Sequence, residues 1–151
     1  MARSKAQALS APLALTTAPT KAAYEKFLSR RSTFMDSRGF DPVWTPDFLF
    51  DFQRYMVEWG IRDGRAALFS GCGTGKTPMQ LVWAENVVRK TNKPVMLATP
   101  IAVGAQTVRE AEKFGIATRR TRDGIHTDEP VIWITNYEQL HRYHPSRFAG
   151  F

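Results

Sequence analysis

Ser70-Gly71-Cys72-Gly73-Thr74-Gly75-Lys76-Thr77 is the stretch on which the reading of this chain turns. Its three glycines let the backbone curl until successive N–H groups point inward, the geometry that cradles phosphate oxygens. The flanks supply the context such a loop needs. Arg65-Ala66-Ala67-Leu68-Phe69 is a short, mostly apolar run leading into the glycines, so it reads as a buried strand. Met79 to Lys90 repeats apolar residues at helical spacing, and a helix N-terminus there adds partial positive charge behind the loop. Lys76 can reach the β- and γ-phosphates of a nucleoside triphosphate, and the Thr77 hydroxyl is placed to ligate Mg²⁺. Gly71, Cys72, Gly73, Thr74, Gly75, Lys76 and Thr77 are therefore the candidate phosphate-binding residues, with Lys76 and Thr77 the candidate catalytic ones. Ser70 stands where the general pattern has its first glycine. The bland alternative is a glycine-rich turn that happens to precede a lysine.

Composition narrows the class. A chain of 151 residues with 43% hydrophobic content suffices for one globular domain with its own core. Lys and Arg number 21 against 14 Asp and Glu, a net charge of +7. That balance favours contact with nucleic acid or another polyanion, and a solvated basic surface accounts for it equally well. The lone cysteine, Cys72, excludes an internal disulfide and a four-cysteine zinc site. No run is long enough to span a membrane, so no membrane partner is expected.

Outward from the loop, the chain divides into three parts. Residues 1–20, rich in Ala, Ser, Thr and Pro, read as a disordered basic tail rather than a transit peptide. Residues 21–43 read as a short helix, Lys21 to Arg31 with Tyr24, Phe27 and Leu28 on one face, and a loop broken by Gly39 and Asp41-Pro42. From residue 44 to 151 runs the main lobe. Its first helix is expected to be capped by Thr45, to carry Pro46 in its first turn and to stop at Gly60. Phe48, Phe52, Tyr55, Met56 and Trp59 form its expected core face. Gln53 on that helix is a neutral amide, able to donate to adenine N7 and accept from the N6 amine.

Beyond the loop helix, Lys93 to Thr99 reads as a strand and Gly104 to Phe114 as a helix stopped by Gly115. Ile116 to Thr121 suggests a short strand, with Arg119, Arg120 and Arg122 clustered at its end and a turn at Asp123-Gly124. Val131 to Thr135 reads as another strand, after which Asn136 can cap a short helix from Tyr137 to about Arg142. Alternating strands and helices predict an α/β fold with a parallel sheet and right-handed crossovers.

Taken in order, these segments resemble the first RecA-like lobe of superfamily 2 helicases, nearest the Swi/Snf-type and phage-type DNA helicases and translocases. Phe50-Asp51-Phe52-Gln53 looks like that family's adenine-recognising glutamine motif, and Gly71 to Thr77 like its motif I. Ala98-Thr99-Pro100-Ile101, with Gln106 and Glu112-Lys113-Phe114 further on, is similar to motif Ia and its helix. Ile134-Thr135-Asn136-Tyr137-Glu138-Gln139-Leu140 is similar to the Thr-x-Tyr-Glu segment carried before motif II. The resemblance covers residues 44–151 and implies a P-loop NTPase fold, a RecA-like parallel sheet flanked by helices, here incomplete. The Walker B acidic pair is missing, because the sequence reaches Phe151 where its strand is expected to begin. Asp128-Glu129 precedes a strand instead of ending one. The second lobe is missing as well.

The resemblance implies the ATP-binding front portion of an ATP-dependent DNA helicase or translocase. ATP and Mg²⁺ are then the expected cofactors. Adenine would lie on Gln53 and phosphates on the loop, while Thr99, Pro100, Thr135 and Asn136 would lie near nucleic acid, with double-stranded DNA the expected form. The physical ground is that ligands gather at the carboxyl ends of parallel strands. Location would be the cytoplasm of a bacterium or phage-infected cell, or a eukaryotic nucleus. Two other readings stand beside it: a non-catalytic ATP- and DNA-binding module, and another P-loop class such as a kinase.

Overall fold

Val95–Thr99 (β1), Thr118–Arg120 (β2) and Ile132–Asn136 (β3) form a parallel sheet in the order β1-β3-β2. Val95 lies opposite Ile132 and Thr99 opposite Asn136, while Thr118 and Arg120 lie opposite Ile132 and Ile134. The computed structural model describes residues 20–32, 38–124 and 126–151, with the side chains of 27–32 outside that description. Residues 1–36 and 37–151 are separate compact units. In the first, Lys21–Ser32 is a helix (α1) as the sequence suggested. Residues 1–19, the side chains of Phe27 and Leu28, and loop residues 33–37 lie outside the described residues.

The second unit is an α/β arrangement in which helices flank a small parallel sheet. Its helices are Asp51–Asp63 (α2), Lys76–Thr91 (α3) and Ile101–Lys113 (α4). Alternation along the strands explains its two cores. Val95, Leu97, Ile132 and Ile134 face one side and pack with Val57 and Ile61 of α2, Val82 of α3 and Ala111 of α4. Met96 and Trp133 face the other side, where Tyr143 and Phe148 cover them. A parallel strand such as β3 is therefore buried on both faces, and each full burial of an isoleucine contributes about 1.5–3 kcal/mol. Among the described residues no helix is long and apolar enough to cross a membrane.

Four sequence expectations need correction. Arg65–Phe69 forms no strand, and Phe69 is 97% exposed. An apolar run becomes a strand only where an edge is free to pair with it, and the outer side of β1 carries the Val95–Gly150 bridge instead. Second, α2 begins at Asp51, not beside Thr45, because Gln53 at its third position accepts the Phe50 N–H at 3.0 Å and fixes the start there. It also runs past Gly60, which is buried mid-helix, and stops at Gly64 with φ 77°. Third, the aromatic stripe of α2 is not its core face. The helix buries Gln53, Val57, Gly60 and Ile61, while Phe52, Tyr55 and Trp59 are exposed. Fourth, α4 starts at Ile101 after Pro100, so Gly104 lies within the helix, and Gly115 ends it as expected at φ 66°.

One side chain ties the unit together and was not singled out in the sequence. Asn86 on α3 is fully buried. Its Oδ1 accepts from Val43 N and Trp44 N, each at 2.9 Å. Its Nδ2 donates to Trp44 O and Val82 O, each at 2.8 Å. A polar residue amid Val82, Val87 and Val88 on a helix was the available signal.

Candidate functional site

The glycine-rich loop leads directly into α3, and Lys76 is the helix's first residue. Gly73 and Gly75 sit at φ 79° and 76°, in the left-handed region that residues with a Cβ avoid. Thr74 Oγ1 donates to Gly71 O at 2.9 Å and closes the turn. Lys76 Nζ donates to Ser70 O at 3.2 Å and to Gly71 O at 2.8 Å, which folds the cation over the loop. A Cβ at Gly71 or Gly73 would meet open space, so a ligand can approach the backbone there. Cys72 is exposed, and Thr77 is half-buried in the first turn of α3.

Gln53 reaches this loop from α2. It is 5% exposed, and its Nε2 donates to Thr74 O at 2.9 Å. The same amide lies so close over Gly75 that a side chain there would collide with it. With Phe50 N on its oxygen, each end of the amide makes one bond and keeps one further hydrogen or lone pair. The arrangement brings Gln53, Thr74, Gly75 and Lys76 together, although twenty-one positions separate Gln53 from Thr74.

A second constellation forms where the parallel strands end. Thr99 Oγ1 donates to Thr135 O at 3.3 Å. Thr135 Oγ1 donates to Tyr143 Oη at 3.4 Å, and that hydroxyl lies 3.0 Å from Thr121 Oγ1. Asn136 Oδ1 accepts from Gln139 N at 3.0 Å, so the expected cap is present, on a 3-10 helix over Tyr137–Arg142. Pro100 is the N-cap of α4. Thr99, Thr135 and Asn136 line a shallow cleft together with Arg120 and Arg122.

The acidic pair before β3 is engaged elsewhere. Asp128 Oδ1 accepts from Arg147 at 2.6 Å, and Glu129 accepts from Arg119 at 3.3 Å. Both pairs are exposed, which limits each to about 0–1 kcal/mol. On the outer face of α2, hydrogen bonds from Arg62 to Asp41 and then Glu58 raise its pKa above the ordinary arginine value.

The loop fits a phosphate chain: Gly71 and Gly73 are open to approach, its backbone is turned by two left-handed residues, and Lys76 stands over it. For Mg²⁺ it offers the Thr77 hydroxyl, and among the described residues no group of three or more His, Cys, Asp or Glu side chains could hold a metal ion. Comparisons with protein-family models, curated proteins and solved structures find no match to this chain.

Proposed function

We propose that this chain binds ATP through residues 70–77 and forms an ATP-binding part of an ATP-dependent DNA helicase or translocase, on a RecA-like P-loop lobe. The observation that carries the reading is the Gln53 amide, bonded to Thr74 O while one donor and one acceptor position remain. A purine edge beside the loop would meet whichever of these positions the 5% exposed amide presents. Bound ATP supplies the phosphoanhydride, Mg²⁺ neutralises it, and the residues that would hold the pair are Gln53, the loop glycines, Lys76 and Thr77. Nucleic acid would lie near Thr99, Pro100, Thr135 and Asn136.

Titration with a fluorescent ATP analogue tests this. Lys76→Ala is expected to weaken binding by about 10- to 100-fold, the range for losing a charge-assisted hydrogen bond. Gln53→Ala should weaken ATP far more than a triphosphate lacking the adenine amine. Equal weakening of the two nucleotides would remove adenine recognition from the proposal, and unaltered binding by Lys76→Ala would remove the loop.

A non-catalytic ATP- and DNA-binding module is the second reading, favoured by the engagement of Asp128 and Glu129 in ion pairs with Arg147 and Arg119. Transition-state charge would then lack its carboxylate-held metal. A DNA-dependent rate of phosphate release that is lost in Lys76→Ala would overturn the non-catalytic reading, whereas its absence fits both. The expected result for these 151 residues is no DNA-stimulated turnover.

A further inference from the structure

We infer that Arg120 and Arg122 clamp a single backbone phosphate of a nucleic-acid strand lying across the carboxyl ends of β1, β3 and β2. The inference rests on the nucleic-acid half of the proposed function and is independent of the ATP half.

Strand direction assembles the site. All three strands run parallel, so Thr99, Arg120 and Asn136 emerge at the same end of the sheet. Thr121 N donates to Ile134 O at 2.9 Å, which carries the pairing to the last residue before Arg122. Alternation then sorts the arginines. Arg119 turns to Glu129, and its charge is compensated there. Arg120 points the other way, over α4. A Cβ built on Gly104 would lie 3.6 Å from both Nε and Nη2 of Arg120, an ordinary contact distance, so the guanidinium rests against this turn of α4. Asp123 follows Arg122 in the chain but forms no ion pair with either arginine among the described residues.

The cleft beneath them fits one oxygen. Its volume is about 10 Å³, enough for roughly one water-sized group and far too small for a base. The ligand must therefore lie across the cleft and insert only an anionic oxygen. A guanidinium fork matches the two free oxygens of a phosphodiester in geometry as well as charge. Asn136 Oδ1 holds the Gln139 N–H, and the amide nitrogen, which bonds to no described residue, adds a neutral donor. Free inorganic phosphate shares this chemistry, and the test separates it from a strand.

The test uses the full chain, fluorescently labelled duplex and single-stranded DNA, and anisotropy over a salt series. The Arg120→Ala/Arg122→Ala double variant is expected to bind DNA at least about 10-fold more weakly at fixed salt. Because both arginines serve one phosphate, the slope of log affinity against log salt should fall by about one, not two. Arg119→Ala should match the parent chain, and the double variant should keep the parent's urea-unfolding midpoint, which shows that the fold is retained. If the parent binds DNA and the double variant binds equally well, the clamp is wrong while the nucleic-acid reading stands. If the parent binds no DNA, both are wrong. Loss in Arg119→Ala equal to that in the double variant would mean diffuse charge and overturn the clamp. Displacement of DNA by inorganic phosphate at equal affinity would overturn the strand as the ligand.

Discussion

The loop at 70–77 and the cleft at the strand ends acquire their shapes in opposite ways. The loop is approached by residues 65–69, which join no sheet, and its form comes from two left-handed glycines, its own lysine and one amide from α2. The cleft is fixed by register: parallel pairing places Thr99 beside Thr135, thirty-six positions away in the chain, with no special backbone conformation. A site defined by local conformation survives without a ladder, whereas a site defined by register depends wholly on one. The first kind is written in consecutive letters and the second is not.

This contrast can be broken most forcefully at Asn86, which holds residues 43–44 against α3 behind the loop. Asn86→Ala leaves buried partners unsatisfied and should lower stability by about 3 kcal/mol or more, read from urea unfolding. A loss below about 1 kcal/mol would mean that the loop side needs no side-chain scaffold. Gly75→Ala comes next. It forces a Cβ to φ 76° and into the Gln53 amide, and should cost about 1–3 kcal/mol along with most ATP-analogue binding. Retained binding would show that the loop's shape is imposed from elsewhere. On the strand side, Tyr143→Phe removes the hydroxyl between Thr121 and Thr135 and should cost about 1 kcal/mol, leaving nucleotide binding untouched. The smallest effect is expected at Phe69→Ser. An unpaired, exposed side chain should change stability by no more than about 0.5 kcal/mol, and a large loss would mean that residues 65–69 are a strand after all.

Much of the fold was legible because its signals are local. The apolar spacing from Met79 to Lys90 announced α3, although the helix begins earlier at Lys76, Gly115 marked the end of α4, and the apolar runs of β1 and β3 announced strands. The start of α2 was misread because Thr45 and Pro46 are good local caps, while the cap in use depends on Gln53 folding back to Phe50. The aromatic stripe was misread for a related reason. Tyr55 is as apolar as a core residue on paper, yet it is 71% exposed, because α2 presents its narrower Gln53–Val57–Ile61 face to the sheet. Among the candidate site residues, the loop could be read from spacing alone. The separation of Arg120 from Arg119 could not, since it requires knowing which face of β2 meets α4.

The sheet order also has a consequence in time. β3 is the last of the three strands in the chain and yet lies between the other two, and β1 and β2 do not pair with each other. As the polypeptide is synthesised from its N-terminus, Val95–Thr99 and Thr118–Arg120 must both wait unpaired until Ile132–Asn136 exists. The sheet then closes in one event that depends on distant contacts, the slow class of folding step. Until that moment the apolar β1 segment is exposed, so the interval between making residues 99 and 136 is when this chain is most vulnerable to wrong pairings.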